Sequence, residues 1–390
     1  MKRSYIREIL DAIDKETISF AGGLPNEKLF PMKKIQKVAS KVLKDANSLQ
    51  YSQSQGLKSL RKKIANIYTD TFGFETDEDE ILITTGSQQA FDIILKVFGK
   101  DEVLVQNPSY VGALSAFSNM GLDVKGFDNI EQLEERLHCS NDLYLMSDFS
   151  NPTSKSYSLK ERETIANILN KTGNLLIEDG AYSLLAFDGS IQKPISSMVE
   201  NSFHLGSFSK IIAPGLRVGW IRANKQLIDK LLASKESIDL HTPTLNQMII
   251  DTFMEKYSLE EHLKKVRRDY FERMQYMNYC FRRYLPSFQF SIPKGGMFIY
   301  GCFDDLDSME FAKKAMEKKV AFVPSQALYH KEQTSSYARF NFTNCSFDDI
   351  EKGVMVLSKM LDEKQPLSGS MWFTIFQDMS KKSKYRTMYL

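Results

Sequence analysis

Cysteine and histidine are too sparse and too scattered in this sequence to build a metal centre or a disulfide framework. Its 390 residues hold four cysteines, Cys139, Cys280, Cys302 and Cys345, and five histidines, and neither set shows ligand or redox spacing. Separated thiols point to free cysteines in a reducing, cytoplasmic compartment and to a protein without a bound metal. No run of about eighteen apolar residues occurs, which argues against a membrane span. The amino terminus, MKRSYIREIL, is basic but interrupted by charge within its first turns, which argues against an export signal. Neither sign of charge is in excess: 51 Lys and Arg stand against 49 Asp and Glu, so there is no electrostatic case for nucleic acid. Low-complexity segments and internal repeats are also absent. What remains is a soluble chain long enough to bury a large core and to divide into two domains.

From about residue 50 to 235, strand-like and helix-like segments alternate, which predicts a mostly parallel sheet with helices on both faces. Ligands of such sheets bind beyond the carboxyl ends of the strands. Asn107, Asn151, Asp179 and Lys210 all fall near predicted strand ends. The stretch from Ser258 to Tyr284 carries Leu263, Val266, Tyr270 and Met274 at helical spacing and reads as a long connecting helix whose charges form a solvated face. Beyond it, Met297 to Tyr300 and Ala338 to Phe342 read as strands and Asp348 to Leu361 as a closing helix.

The strongest chemical signal is Ser207-Phe208-Ser209-Lys210 followed by IIAPGLRVGW. It places one lysine in an apolar strand-and-turn setting, where desolvation disfavours the ammonium form and leaves a nucleophilic amine. The chemistry that most needs such an amine is imine formation with an aldehyde, above all pyridoxal phosphate. A lone lysine of this kind would read as a surface residue at a strand end. Three further clusters change that weighting.

Asn174 to Asp179 reads as a buried strand ending in an acid, with Gly180 opening a turn and Tyr182 three residues beyond Asp179. A carboxylate there can pair with a pyridine nitrogen, and Tyr182 can donate to a phenolic oxygen. By itself such an acid is equally a strand end or a helix cap. Asn151-Pro152-Thr153-Ser154 follows another strand-like run and offers an amide beside a fixed turn, although Asn-Pro is also ordinary turn chemistry. The third cluster is a strand over Glu80 to Thr85, a turn at Gly86-Ser87-Gln88 and an amphipathic helix from Gln89 to Phe98. Unpaired amides at that helix start favour an anion. Ser87, Gln88, Ser207, Ser209 and the fork of Arg217 would complete a phosphate cup.

Together these residues resemble the fold-type I pyridoxal-phosphate enzymes, in particular class I/II aminotransferases. The branch most resembled is that of 2-aminoadipate and kynurenine aminotransferases and the aminotransferase-like half of MocR regulators. The resemblance runs from about Ile6 to Leu361. It rests on ISFAGGLPNEKLFP from Ile18, LQYSQSQGLKSLR from Leu49, ILITTGSQQA from Ile81, NPSYVGAL from Asn107 and NPTS from Asn151. It continues through the IEDGAY run ending at Tyr182, SFSKIIAPGLRVGW from Ser207, PKGGMF from Pro293, FVPS from Phe322 and ARFNFTN from Ala338.

The fold implied is α/β, a large domain with a mostly parallel sheet flanked by helices plus a smaller α+β domain. Residues 1–48 would form an arm and part of the small domain, 49–285 the large cofactor-binding domain and 286–361 the small carboxy-terminal domain. By the same resemblance Lys210 is the imine-forming lysine and later the proton shuttle, Asp179 pairs with the pyridine nitrogen, and Asn151 and Tyr182 bind the ring oxygen. Tyr110 stacks on the ring, Ser87, Gln88, Ser207, Ser209 and Arg217 hold the phosphate, and Tyr51 reaches the phosphate of a neighbouring subunit in a homodimer. Arg339 grips the substrate carboxylate, with Asn151, Gly22 and Gly23 also on the substrate side.

The implied reaction is transfer of an amino group between an L-amino acid and a 2-oxo acid. Other chemistry at the amino-acid Cα or Cβ, such as decarboxylation, elimination, racemisation or oxidation, would use the same Lys210 and Asp179. A ligand-sensing regulator would carry a winged helix ahead of this region, and fewer than twenty residues precede ISFAGG. Departures from the family pattern occur at Ser154, Gly180, Ala181 and Ser325. They lie beside the expected pocket and bear on substrate preference. The extension from Asp362 to Leu390, with MWFTIF and then KKSKYR, has no counterpart in the resemblance.

Overall fold

Seven strands form the central sheet of the computed structural model, which describes residues 9, 11, 13–331 and 333–361. They are β1 (Ile81–Thr84), β2 (Glu102–Gln106), β3 (Asp123–Phe127), β4 (Asn141–Leu145), β5 (Leu176–Asp179), β6 (Ser202–Ser207) and β7 (Gly219–Arg222). Their order across the sheet is β1-β7-β6-β5-β4-β2-β3, and every pairing from β6 to β3 is parallel. β7 runs antiparallel to both β6 and β1. Because β1 is reversed twice, its carboxyl end lies on the same edge of the sheet as those of β2, β4, β5 and β6. The expected mostly parallel sheet is present, with β7 as its single reversed strand.

Strands β1, β4, β5, β6 and β7 are buried along their whole length, as strands covered by helices on both faces must be. Helix α1 (Ser87–Phe98) begins two residues earlier than its periodicity indicates, so Ser87 and Gln88 belong to its first turn. Helix α2 (Val111–Asn119) follows β2, with Tyr110 as its cap residue. Helix α3 (Leu159–Thr172) opens on a capping box between Ser158 and Glu161 and closes on the left-handed Gly173.

Helix α4 (Leu259–Tyr284) is capped by Ser258 and leads from the large sheet to a second, antiparallel one. That sheet contains β8 (Phe288–Phe290), β9 (Phe298–Phe303), β10 (Val323–Pro324) and β11 (Tyr337–Asn341), in the order β10-β11-β9-β8. Phe340 is fully buried in it, with ring contacts to Phe20, Phe281, Phe288, Phe303 and Phe322. Helix α5 (Phe347–Met360) closes the chain's described part, its Glu351 accepting hydrogen bonds from Tyr276 and Tyr284 of α4. The amino-terminal segment joins this region: Ile18–Ser19 pairs in parallel with Val320–Ala321. The extension 362–390 lies outside the described residues.

The solvated charged face expected of α4 is only partly present. Arg267 and Arg273 are buried, Arg267 donating to the Leu184 carbonyl and Arg273 to that of Cys345. Long guanidinium side chains can leave a helix surface and satisfy carbonyls deep in a neighbouring layer. Charge alone therefore does not mark a position as exposed. Among the described residues no helix is long and apolar enough to cross a membrane, and no cluster of three or more metal-ligating side chains occurs.

Candidate active site

The shared edge of the large sheet opens on a cleft of about 1670 Å³, walled on its far side by the amino-terminal segment and the small sheet. Alignment of the strands puts Ser87, Tyr110, Asn151, Asp179 and Ser207 on its wall, each at or just beyond a strand's carboxyl end. Gln88, Tyr182, Ser209, Lys210, Arg217 and Arg339 line the same cleft, as do Gly22 and Gly23. Tyr51 does not. It is 78% exposed and makes an edge contact with His241, outside the cleft of its own chain.

Lys210 sits in the turn after β6 and its Nζ donates to the Gly23 carbonyl at 2.8 Å. Burial lowers its pKa from 10.5 to about 8; the guanidinium groups of Arg339 and Arg217 add to this, and Asp179 opposes it. Asp179 ends β5 on the neighbouring strand. Burial raises its carboxyl to about 6, against hydrogen bonds from the Ala181 amide and the Tyr144 hydroxyl and the charge of Lys210. Glu178, one residue earlier, points to the opposite face of the strand. There burial would raise it, but His204, Ser147, the Ser196 amide and Arg162 together bring it below its ordinary value. Strand alternation thus decides which of two adjacent acids faces the cleft.

Arg339 comes from β11, where it pairs in register with Tyr300 of β9 and Val323 of β10. It is 3% exposed, with its guanidinium 4.4 Å above the Phe298 ring. Nη1 donates to Asn151 Oδ1 at 2.7 Å and Nη2 to the Ala21 carbonyl at 2.5 Å, while Nε has no partner. Among the described residues no carboxylate pairs with this buried cation. Asn151 in turn is hydrogen-bonded to Tyr182, whose phenol is pushed up by burial. One connected set of side chains therefore runs from the small sheet to the turn after β5.

The amino-terminal end of α1 meets the loop before β7. Gly86 has φ +76°, a conformation that favours glycine, and its missing Cβ leaves room for Arg217 Nη2, which lies 2.3 Å from where one would stand. Arg217 itself is left-handed, with φ +51°. Its contacts, to Ser209 Oγ, the Pro214 carbonyl and the Thr85 carbonyl, are all long at 3.4 Å and leave the fork free for an anion. Ser207 Oγ accepts from the Ser209 amide at 3.1 Å. The Gln88 side chain is turned toward the Gly112 carbonyl, which leaves its backbone amide at the helix end.

Of the four departures from the family pattern, only Ala181 lies on the cleft wall. Gly180 is explained by His204: a Cβ at 180 would lie 2.3 Å from His204 Cε1. Trp220 Nε1 donates to the Tyr68 hydroxyl at 3.0 Å, and that hydroxyl is hydrogen-bonded to His204 Nδ1 at 2.6 Å. Burial lowers the His204 pKa to about 4, so the ring is neutral near neutral pH. Ser154 and Ser325 stand behind the wall, Ser154 Oγ donating to the Phe298 carbonyl and Ser325 Oγ bonded to the Tyr300 hydroxyl. Tyr144, Tyr329, His330 and Lys331 are not singled out by the sequence. Tyr144 is hidden in an apolar strand, and the other three follow the FVPS run on a loop whose course the pattern does not give.

The fraction of Lys210 in the neutral form should rise about tenfold per pH unit up to pH 8 and level off above it. Labelling with trinitrobenzenesulfonate at stepped pH, followed by peptide mass mapping, measures this. A half-maximum near 8 for Lys210 is expected, and a value near the ordinary 10.5 would remove the claim that the cleft activates it.

Comparison with known proteins agrees with this geometry. The sequence model of the family described as "Aminotransferase class I and II" matches residues 19–357. The aromatic-amino-acid aminotransferase 1 of Thermococcus litoralis is 32% identical over 387 residues, covering 93% of each chain. Two solved structures superpose closely. LysN, the α-aminoadipate aminotransferase of Thermus thermophilus, complexed with N-(5'-phosphopyridoxyl)-L-leucine, has a TM-score of 0.85 and 32% identity, covering 93% of this chain and 95% of its own. The kynurenine aminotransferase of Pyrococcus horikoshii has a TM-score of 0.87 and 30% identity, covering 95% of this chain and 96% of its own. A family match over most of the chain, relatives above 30% identity and the same fold together establish that the chain belongs to the class I and II aminotransferases.

Proposed function

We propose that this protein is a pyridoxal-phosphate-dependent aminotransferase that passes an amino group from an L-amino acid to a 2-oxo acid in two half-reactions through Lys210, in a cytoplasmic setting. The observation that carries the reading is the buried, carboxylate-free guanidinium of Arg339 in the same cleft as Lys210 and Asp179. A cation withdrawn from water with an unsatisfied Nε calls for an anion, and every α-amino acid brings a carboxylate.

The donor set fits the cofactor. Ser87, Ser207, Ser209, Arg217 and the amides at the start of α1 would hold the phosphate, in a cradle that a Cβ at Gly86 would fill. Asp179 would face the ring nitrogen, Asn151 and Tyr182 the ring oxygen, and Tyr110 a face of the ring. When bound, pyridoxal phosphate supplies an aldehyde and an aromatic electron sink. Lys210 would carry it covalently between substrates and, once displaced, take the proton from the substrate Cα. With Asp179 titrating at about 6 and Lys210 at about 8, pH values between and just above them give an ionised acid and an accessible neutral amine. Arg339, with Asn151 beside it, would fix the substrate carboxylate and so set which Cα bond stands free to break, next to Gly22 and Gly23.

Incubating the pyridoxal-phosphate-loaded protein with a panel of L-amino acids and no acceptor tests the reaction class. One equivalent of pyridoxamine phosphate and of the matching 2-oxo acid is expected. Release of an amine with carbon dioxide, or of ammonia with a 2-oxo acid, would assign the cleft to other chemistry.

Arg339→Lys should weaken every amino-acid substrate by a similar factor, about 2–3 kcal/mol for a lost two-pronged charged contact. Steady-state KM values across the panel check this, and a loss confined to one substrate class would place Arg339 on the side chain instead.

Tyr51 is proposed to serve a second copy of the chain in a homodimer. Its exposure, beside exposed Leu49 in the same segment, fits a residue that completes a partner's phosphate site. Given that Tyr51→Phe slows turnover, mixing it with Lys210→Ala should yield hybrid dimers with one intact and one doubly damaged site, and activity above that of the separate proteins. Verified hybrids with no such gain would return Tyr51 to its own chain.

A further inference from the structure

We propose that Tyr144 is a positioning residue for the cofactor, its hydroxyl holding the Asp179 carboxylate in the orientation that presents it to a pyridine nitrogen. This rests on the reading of Asp179 given above. The Tyr144 hydroxyl donates to Asp179 Oδ2 at 3.2 Å and the Ala181 amide to Oδ1 at 3.1 Å. Each carboxylate oxygen thus has one protein donor, which fixes the plane of the group and leaves a lone pair on each for the cleft side. Tyr144 is fully buried and lies behind the cleft wall, so its hydrogen bond to Asp179 is its link to the cleft, with the Tyr110 and Tyr182 phenols as further neighbours of its hydroxyl.

Its own position is held from three sides. It lies in β4, in register with Ile177 of β5 and Val105 of β2. Its ring makes edge contacts with Phe91 of α1 at 5.6 Å and Phe117 of α2 at 5.4 Å. Those helices follow the strands that deliver Ser87 and Tyr110, so one ring is packed by the elements bearing the phosphate cradle and the ring-stacking aromatic. Core packing alone would be met by phenylalanine. The hydroxyl adds a polar group that burial penalises unless it has a partner, and the partner it has is Asp179, the acid that faces Lys210 across the cleft. A donor to the ionised form also favours that form, and the removal of one raises the acid's pKa.

Tyr144→Phe keeps the packing and removes only this bond. Pyridoxal phosphate affinity is read by spectroscopic titration of the apoprotein across pH, in four proteins: native, Tyr144→Phe, Asp179→Ala and the double variant. The native protein should lose affinity as pH falls through about 6, where Asp179 protonates. Tyr144→Phe should bind about tenfold more weakly at pH 6.5, with that low-pH edge moved to higher pH, and should add less than twofold in the Asp179→Ala background. Equal losses in both backgrounds, or unchanged affinity and edge in Tyr144→Phe beside a weakened Asp179→Ala, would overturn the proposal while leaving Asp179's role intact. Unchanged binding in Asp179→Ala would overturn the pairing of Asp179 itself and the proposal with it. Should Tyr144→Phe fail to fold, 3-fluorotyrosine at position 144, a stronger donor in nearly the same ring, should move the edge to lower pH. An edge that does not move would reject the proposal.

Discussion

Withdrawal of an ammonium and a carboxylate from water at the ends of two neighbouring parallel strands is the condition on which the cleft rests. Asp179 ends β5 and Lys210 follows β6, and the desolvation that raises the acid to about 6 lowers the amine to about 8. Neither shift requires an unusual residue. Both follow from a sheet buried on each face, whose strand ends can dip below the solvent boundary while remaining open to one cleft. Had either group stood in water, the amine's neutral fraction near neutrality would be about two orders of magnitude smaller and the acid would be one more surface carboxylate.

The small sheet contributes through a single side chain. Arg339 hydrogen-bonds Asn151, in the turn after β4, and the Ala21 carbonyl of the amino-terminal segment. Three stretches far apart in sequence therefore meet at one guanidinium, whose planar fork can serve them and still face an anion. The price of burying that cation without a carboxylate is met by carbonyl oxygens and by the face of Phe298, an arrangement that stays short of neutralising it. Behind the wall, Gly180 and His204 fit one another at a distance no other residue at 180 would permit, so this departure from the family pattern is a packing matter.

Much of the cleft wall is legible in the sequence. The run around Lys210, the acid at Asp179 and the Gly86-Ser87-Gln88 turn each sit at a change from apolar periodicity to turn residues, and strand ends in such sheets face the ligand edge. The helix α1 starts at Ser87 because residues with unpaired amides still belong to its first turn, which periodicity of apolar positions does not reveal. The charges of α4 misled, since Arg267 and Arg273 turn inward to carbonyls that only folding brings near. Tyr144 and His204 were invisible because a polar atom in an apolar strand has no signature until its partner across the sheet is known.

The sequence by itself determined the local chemistry: which lysine, acid, amide and arginine fall at strand ends and turns, and the alternation that buries the sheet between helices. Those features depend on neighbours within a few residues, where propensity and periodicity act. Tertiary structure decided the rest. Whether Glu178 or Asp179 faces the cleft and how far burial moves Lys210 depend on what packs around them, and Arg339 meets Asn151 across 188 residues of chain. Desolvation is a property of everything packed around a group, and no stretch of sequence carries it alone.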